Sequence, residues 1–341
     1  MRAFYAAETA AHSAQFFMMR GRVAANEERA ERAERLLAGL SAVGIGTEEP
    51  DEAGPVPRGR VHSPDFLDFL ERAWGEWQHL ANAGPEVLGN VQPRRPEARY
   101  PAGIVGRAGW HMGDLACPLG EHTFRAACRS ADAAIAAART VKAGAPLAYA
   151  LSRPPGHHAS REVAAGHCIM NNAAIAAADL HAAGLRTAVL DIDVHHGNGT
   201  QAIFYDSPDV LTVSVHADTN HFYPWFTGDT QERGAGPGEG FNHNIVLPMG
   251  EGDEAWLAAV SDGLSHVKRF GVDVLVLSLG LDVHGSDPLA GLCVTTEGIG
   301  KAGTLVREAG LSTAIIQEGG YLSDALGDNL AAFMRGASGS S

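Results

Sequence analysis

The sequence is poor in cysteine, has no long apolar run and carries fewer basic than acidic residues. No apolar stretch reaches the roughly 20 residues of a membrane-spanning helix, and the N-terminal residues lack the apolar core of a signal peptide. The four cysteines show no CxxC spacing, which indicates free thiols in a reducing compartment. We therefore expect a cytoplasmic protein that has no membrane partner.

The charge balance narrows the class of partner. Lys and Arg number 26 against 40 Asp and Glu, so the formal net charge is −14. An acidic surface disfavours nucleic acid and attracts cations. We expect no nucleic-acid partner.

Apolar segments of strand length alternate with helical segments through most of the 341 residues. This alternation predicts an α/β protein with a parallel sheet covered by helices on both faces. Length alone would permit one large domain or two. An asparagine cap predicts a helix over residues 26–40, and Ser63-Pro64 predicts the start of another. The ending GASGSS (336–341) is typical of a flexible tail.

The most informative segment is TAVLDIDVHHGNGTQ (187–201). Its apolar start predicts a buried strand, and Asp191, Asp193 and His195 follow at a spacing of two, which places their side chains on one face. A carboxylate and an imidazole that project together supply two of the three protein ligands of an open zinc site. Alternatively, the two aspartates are loop acids that cap the next helix.

A third ligand comes from a second buried strand, VLVLSLGL (274–281), which ends in Asp282. Parallel sheets bind their ligands outside the carboxyl ends of the strands. Two further apolar runs end in the tandem His157-His158 and in a segment that carries Tyr321. These strand ends predict an active site at one edge of the sheet.

The motifs PPGHH, DIDVHHGNG, SLGLDVHGSDP and EGGY resemble those of the histone deacetylase and acetylpolyamine amidohydrolase superfamily. The resemblance continues through AAGHCIMNN (164–172) and VLTVSVH (210–216), and it covers most of the chain from Arg29 onward. It implies a single-domain arginase/deacetylase-like fold over residues 1–335, with a mostly parallel eight-stranded sheet. It also implies zinc-dependent hydrolysis of an N-acyl amide.

The resemblance assigns roles to the predicted site residues. Asp193, His195 and Asp282 would hold Zn²⁺, although the mixed N/O ligand set also suits Fe²⁺. The set of catalytic residues comprises His158 as the base that becomes the acid, His157 as its electrostatic partner, Asp191 as the carboxylate that orients His157, and Tyr321 as the oxyanion donor. Asn198 stands where histone deacetylases usually carry an aspartate, so it should raise the basicity of its histidine less.

Two monovalent-cation sites, usually for K⁺, are also implied by the resemblance. The first is matched by Asp191, Ser214 and the backbone near Asp193, His195 and Val215, and the second by Phe204, Ser207 and Val210. Oxygen-only ligation suits such a hard ion. His216 ends a strand beside the active site, and its role is left open.

The substrate tunnel departs from the family pattern. Tyr223 matches one aromatic wall, but Gly166 is followed by His167, where most relatives carry the aromatic of the other wall. His284 similarly occupies a rim position near Asp282. A smaller, more polar wall predicts a wider tunnel or a different linker in the substrate, and it leaves the reaction unchanged.

The segment 80–118 is rich in Gly, Pro and Arg and too long for an ordinary connection. In the acetylpolyamine amidohydrolases an insertion here builds the dimer interface and narrows the active-site entrance; a variable surface loop is the alternative. By this resemblance we predict a homodimer that acts on small cationic N-acetylated amines, above all acetylpolyamines. Glu121 and Glu97 are candidates to pair with the distal ammonium.

Three alternatives stay open from the sequence. The same chemistry could act on acetyl-lysine in proteins, the chain could be a degenerate ligand-binding module, or it could be a two-metal hydrolase of the arginase type. The ERAERL motif (31–36) resembles an early arginine motif of the family, so Arg32 or Arg35 would line the inner end of the pocket or form a surface ion pair.

Overall fold

One parallel sheet organises the protein, as a computed structural model of residues 1–93 and 98–339 describes it. The sheet strands are β1 (Arg2–Phe4), β4 (Thr47–Glu48), β5 (Leu147–Ala150), β6 (Thr187–Asp191), β7 (Val210–Ala217), β8 (Asn242–Leu247), β9 (Val274–Leu279) and β10 (Thr313–Gln317). Their spatial order is β4-β1-β5-β10-β9-β6-β7-β8, and each neighbouring pair is parallel. The predicted eight-stranded α/β fold is confirmed. A separate antiparallel hairpin consists of β2 (Phe16–Met19) and β3 (Arg22–Ala25).

Helices cover both faces of the sheet. They are α1 (Glu31–Ala42), α2 (Pro55–Val61), α3 (Pro64–Trp77), α4 (Ile104–His111), α5 (Thr123–Lys142), α6 (Asn172–Ala182), α7 (Asn198–Phe204), α8 (Asp253–Phe270), α9 (Thr296–Glu308) and α10 (Leu326–Ser338). Successive strand residues alternate between two apolar cores, as Leu275 and Val276 do. The alanine-rich α5 packs closely on β5 and β10 because its buried face has small side chains.

Side-chain caps fix several helix starts. Ser63 accepts a hydrogen bond from Phe66 N at 3.3 Å, as its position before a proline predicts. The predicted helix at residue 26 is wrong at its start, because α1 begins at Glu31. Asn26 instead accepts from Glu28 N at 2.8 Å, a local turn that competes with helix.

The C-terminal prediction also needs a correction. Residues 336–338 belong to α10, so the predicted tail begins too early. Met334 and Ala337 are buried, and this burial extends the helix beyond residue 335. Residues 340–341 lie outside the described part of the chain.

The insertion 80–118 is more regular than its composition suggests. It contains α4, which packs against α3. Val87 pairs with Leu119 at its base, where Val87 N donates to Leu119 O at 2.9 Å. Met18 N of the hairpin donates to Leu115 O at 3.3 Å, so the hairpin and the insertion lie side by side.

The parallel arrangement brings the carboxyl ends of β5, β6, β9 and β10 to the same edge of the sheet, where the predicted site residues follow each strand. Cys117, Cys128, Cys168 and Cys293 are all free thiols. In the described ranges, no helix has both the length and the apolar character needed to cross a membrane.

Candidate active site

Three side chains from two adjacent strand ends converge after β6 and β9. Asp193, His195 and Asp282 are buried, and their ligand atoms all lie within 4.8 Å of one another. His195 Nδ1 is 3.1 Å from Asp193 Oδ1 and 3.2 Å from Asp282 Oδ2. Ligand atoms about 2 Å from a tetrahedral ion stand about 3.3 Å apart. The spacing therefore fits one small divalent ion.

The hydrogen bonding of the same residues supports that fit. Asp282 Oδ2 accepts no hydrogen bond of acceptable geometry from a described residue, although the side chain is completely buried. Buried polar atoms almost always have a partner. An ion bound between the two carboxylates and the imidazole would satisfy this oxygen.

Two glycines let the backbone approach the carboxylates. A Cβ on Gly280 would lie 2.2 Å from Asp193 Oδ2, and one on Gly319 would lie 2.1 Å from Asp282 Oδ2. Gly319 N donates to Asp193 Oδ2 at 2.8 Å. The EGGY segment thus needs glycine at this point because the metal-ligand candidates occupy the space of a side chain.

The pKa values of two of the three ligand candidates are shifted by burial and by their neighbours' charges. Burial together with the Asp193 charge raises the pKa of Asp282 to about 7. Burial opposes protonation of His195, but the two aspartates outweigh it and raise its pKa to about 9. A divalent cation would stabilise ionised carboxylates and a neutral imidazole, so it would relieve this arrangement.

The tandem histidines after β5 have different partners. His157 Nδ1 lies 2.9 Å from Asp191 Oδ2, and His158 Nδ1 lies 2.7 Å from Asn198 Oδ1. The centres of the two imidazole rings are 4.0 Å apart. Since each partner oxygen accepts, each Nδ1 carries the hydrogen, and each Nε2 faces away from its partner.

These environments separate the two histidines in charge. Burial opposes protonation of His157, but Asp193 and Asp191 outweigh it and raise the pKa to about 10. Burial and the positive charges of His157 and His195 hold the pKa of His158 well below its usual range. One cationic and one neutral imidazole side by side suit proton transfer at neutral pH.

Glu318, the first residue of the EGGY motif, was not predicted as a site residue. Its buried Oε2 accepts from Gly156 N at 2.6 Å and from His157 N at 3.1 Å. Its ligand atom also groups with those of His157 and Cys168 within 4.8 Å. Burial raises the pKa of this carboxyl to about 7, although the His157 charge opposes the rise. Glu318 ties the tandem histidines to the EGGY segment.

Tyr321 follows β10, and its backbone N donates to Asp287 Oδ2 at 2.7 Å. Burial raises the pKa of its hydroxyl well above the usual value, so the group remains a proton donor. The hydroxyl forms no hydrogen bond within residues 1–93 and 98–339, and it is therefore available to a substrate oxygen.

Arg32, not Arg35, lies against the EGGY segment that carries Tyr321. Its guanidinium pairs with buried Glu28 at 2.8 Å, donates to Gly320 O at 2.6 Å and stands 4.7 Å from the centre of the Tyr321 ring. Arg35, three residues further along α1, is exposed. The surface alternative is therefore wrong for Arg32.

Aromatic and imidazole rings form the walls around the histidines. Tyr223 packs edge-on against His158 at 4.9 Å, and Phe222 stacks on His195 at 4.7 Å. His167 is buried between Phe17 and Tyr321, at 5.4 and 5.5 Å. His167 has a φ of +67°, a rare backbone state for a residue with a side chain.

Asp114 joins the two walls and was missed from the sequence. Its Oδ2 accepts from the Tyr223 hydroxyl at 2.6 Å and from Gly166 N at 2.9 Å. The residue lies in the insertion 80–118, outside every recognised motif, and its partners are distant in sequence. No local signal identifies it.

The structure does not bring every predicted substrate residue to the site. The Glu121 side chain is exposed before α5, and its carboxylate lies 4.0 Å from His122. His284 turns toward Ser286 Oγ, at 2.8 Å from its Nδ1. Glu97 lies outside the described residues.

The residues predicted for the first cation site lie on adjacent strands. Asp191 on β6 is in register with Ser214 on β7. In the described ranges, no hydrogen bond ends on the carbonyl oxygens of Asp193 or His195, although both residues are buried. Unpaired buried carbonyls are rare and suit a cation.

The second set is held by local turns. Phe204 O already accepts from Ser207 N at 3.1 Å, and Val210 starts β7. Its support as a cation site is the resemblance alone.

Several known proteins are similar to this chain in sequence and in fold. The histone deacetylase domain matches residues 26–337. The chain is 45% identical to the acetylpolyamine amidohydrolase of Burkholderia pseudomallei (strain 1710b) over 337 residues, which is 98% of each chain. It is 36% identical to acetylpolyamine amidohydrolase 1 of Pseudomonas aeruginosa over 99% of each. A crystal structure of the acetylpolyamine aminohydrolase from Burkholderia pseudomallei superposes with a TM-score of 0.95 at 44% identity, covering 99% of this chain and 98% of that one.

Proposed function

The chain belongs to the histone deacetylase family, and on that basis we propose that it removes acetyl groups from small N-acetylated amines, acetylpolyamines above all. The observation that carries the chemistry is the convergence of Asp193, His195 and Asp282 at 3.1–3.2 Å beside two histidines of opposite charge preference. A complete set of ligand and proton-transfer groups favours an enzyme over a degenerate ligand-binding module.

One divalent ion, Zn²⁺ or Fe²⁺, fits the three ligand candidates by donor type and spacing. When bound, it would polarise the acetyl carbonyl and lower the pKa of a water molecule. A two-metal centre of the arginase type would need further ligands. The second cluster, His157, Cys168 and Glu318, uses His157, whose Nδ1 already donates to Asp191.

The two histidines divide the proton transfers. His158 is neutral, and its Nδ1–H donates to Asn198, so Nε2 can take a proton from the attacking water. The same nitrogen then returns the proton to the leaving amine. His157, held in its charged form by Asp191, balances the negative charge that builds up during attack.

Tyr321 donates to the developing oxyanion. Its hydroxyl stays protonated because of burial, and the Arg32 guanidinium over its ring holds the side chain in place. A donor of this kind contributes about 3 kcal/mol of transition-state stabilisation.

The walls of the site suit a slender cationic amine. Tyr223 is fixed by Asp114, whose carboxylate places a negative charge at the mouth. Free acetylpolyamines carry a distal ammonium that such a charge attracts. A polypeptide substrate would need an open rim for its backbone.

A dimer would narrow that mouth further. Exposed apolar side chains occur on the hairpin and on the insertion, among them Val23, Val91 and Val105. Val91 and Val105 line one surface hollow of the insertion. We infer that a second copy covers this hollow, since contiguous exposed apolar surface usually marks an interface. Sedimentation analysis of Val91→Asp should then report a monomer, while Val56→Asp, an equally exposed change on α2, stays dimeric. A wild-type monomer at micromolar concentration contradicts the inference.

The first cation set fits K⁺ by its all-oxygen donors and its two unpaired carbonyls. A cytoplasmic location and the absence of a nucleic-acid partner stay predictions.

The deciding experiment compares kcat/KM for acetylputrescine, acetylcadaverine, acetylspermidine and an acetyl-lysine peptide. We expect the small amines to be the better substrates. A peptide that is hydrolysed much faster than every small amine would establish a protein deacetylase instead.

Metal content tests the ligand assignment in the same preparation. Asp282→Ala should lose both the metal and the activity, whereas Asp262→Ala, an exposed change on α8, should keep both. Stoichiometric zinc and full turnover in Asp282→Ala would refute the assignment.

A further inference from the structure

A histidine that the mechanism does not use lies between the cation residues and the loop that carries Tyr223. His216 is completely buried at the end of β7. Its Nδ1 is 2.9 Å from Ser214 Oγ, and its Nε2 is 3.1 Å from Gly228 O. Ser214 belongs to the first cation set, and Gly228 lies in the loop 218–241 between β7 and β8.

These two contacts fix the direction of both hydrogen bonds. A carbonyl oxygen only accepts, so His216 Nε2 carries the hydrogen that it donates to Gly228. A neutral imidazole then has a lone pair on Nδ1, and Ser214 must donate its hydroxyl hydrogen to it. The lone pairs of Ser214 Oγ therefore face away from His216. Gly197 N donates to this oxygen at 3.4 Å, which leaves one lone pair for a cation.

The loop residues at this point have little freedom. Gly228 has a φ of +110°, and a Cβ there would lie 2.9 Å from His216 Nε2. Gly228 N donates to Glu232 at 2.8 Å. His196 holds the preceding residue, with Nδ1 at 3.2 Å from Thr227 Oγ1. Two buried imidazoles therefore contact the loop a few residues after Tyr223, His196 through a side chain and His216 through the backbone.

We propose that His216 is a positioning residue that couples the monovalent-cation site to the substrate-tunnel loop 218–241. A cation bound to the remaining Ser214 lone pair keeps the hydroxyl hydrogen directed at His216, and this fixes the tautomer that holds Gly228. Without the cation, the hydroxyl is free to rotate toward the neighbouring Asp191 carboxylate, a stronger acceptor. The hydrogen bond from His216 to Gly228 O then weakens, and Tyr223 in the same loop is held less firmly. This inference rests on the cation site of the proposed function.

The coupling predicts two linked effects in the wild-type protein. K⁺ should raise the thermal unfolding temperature and lower KM for acetylputrescine, with little change in kcat, because the loop binds substrate and does not supply the proton-transfer groups. By linkage, acetylputrescine should also tighten K⁺ binding by the same factor. The measurement replaces choline chloride by KCl at constant ionic strength.

Two substitutions at His216 separate its two contacts. In His216→Asn the shorter amide matches the Nδ1 edge of the ring and can still accept from Ser214, but it cannot reach Gly228. In His216→Gln the longer amide matches the Nε2 edge and can still donate to Gly228, but it loses Ser214. Each lost hydrogen bond should weaken the function it supports by roughly threefold to tenfold.

We therefore expect His216→Asn to keep the K⁺ half-saturation of thermal stabilisation and to raise KM at saturating K⁺. His216→Gln should show the opposite pattern. Hydrogen exchange at residues 227–228 should be faster in His216→Asn alone when K⁺ is saturating. His243→Gln, a half-buried histidine on the neighbouring β8, is the matched control and should leave all three quantities unchanged.

The outcomes test the coupling role of His216, the cation site and the deacetylase activity separately. If the wild type responds to K⁺ and both His216 variants retain its K⁺ half-saturation and KM within about twofold, the coupling role is refuted while the cation site stands. If K⁺ does not stabilise the wild type, the cation site itself is refuted, and this inference with it. Thermal stabilisation needs no turnover, so a failure of the proposed deacetylase activity would show separately.

Discussion

Asn198 offers the sharpest test of the proton-transfer assignment. Its side-chain oxygen accepts from His158 Nδ1 at 2.7 Å, whereas His157 makes the equivalent contact with the Asp191 carboxylate at 2.9 Å. Asn198→Asp replaces a neutral acceptor by a charged one with nearly the same shape. The protonated form of His158 then gains an adjacent negative charge.

The size of the effect follows from the geometry. An opposite charge within about 4–6 Å shifts a pKa by roughly 1–3 units, or about 1.4–4 kcal/mol. Burial of the new carboxylate opposes part of this gain, since it disfavours the charged form. We therefore expect the pKa of His158 to rise by about 1–2 units.

The direction of the shift in the pH profile of kcat/KM follows from the role of His158. His158 must be unprotonated to act as the base, so kcat/KM falls as the pH drops through its pKa. In Asn198→Asp the acidic limb of the pH profile should move to higher pH by about 1–2 units, with a high-pH plateau near the wild-type value. The metal content, measured on the same samples, should not change.

Asn198→Ala is the control because it removes the acceptor without adding a charge. Its plateau should fall, since the ring loses its orientation, and its acidic limb should not move upward. An unshifted limb in Asn198→Asp with normal metal content would mean that His158 is not the group that titrates, and the assignment would be abandoned.

Three further predictions follow from single contacts. Tyr321→Phe should lower kcat by about two to three orders of magnitude and keep the metal, because only the oxyanion donor is lost. Arg32→Met should lower the free energy of unfolding in urea by about 3 kcal/mol, since it removes one partner of a buried ion pair, whereas Arg35→Met on the exposed face should change it by less than about 0.5 kcal/mol. Gly319→Ala should lose the metal measured by mass spectrometry, because its Cβ would lie 2.1 Å from Asp282 Oδ2.

Each of these has a contradicting outcome. An unchanged kcat in Tyr321→Phe removes its role in catalysis. Equal stability of the two arginine variants would show that the buried pair contributes nothing beyond a surface charge. Full metal occupancy in Gly319→Ala would mean that the carboxylates can move away from the backbone.

The sequence alone determined the sheet and the residues that end its strands. Buried parallel strands carry continuous apolar runs, and the spacing of two in Asp191, Asp193 and His195 fixes a common face locally. The topological rule for parallel sheets then places Asp282 and His158 at the same edge. These inferences need only neighbouring residues and a general property of the fold.

Helix boundaries showed where local information fails. Asn26 has the composition of a helix cap, yet its side chain closes a turn and α1 starts five residues later. The intrinsic propensity of asparagine for a helix cap and for a turn is similar, so the packing of the surrounding chain decides between the two conformations. The helix α4 within the insertion was missed for a related reason, since glycine-rich segments carry weak periodicity.

Only the tertiary structure decided which polar side chains serve the site from a distance. Asp114 braces Tyr223 across 109 positions of sequence, and Arg32 reaches Gly320 across 288. His216 gains its meaning from Gly228, whose backbone comes to it through a loop. Contacts of this kind depend on how separate elements pack, and a charge or hydrogen-bonding group looks the same in the sequence whether it faces solvent or a buried partner.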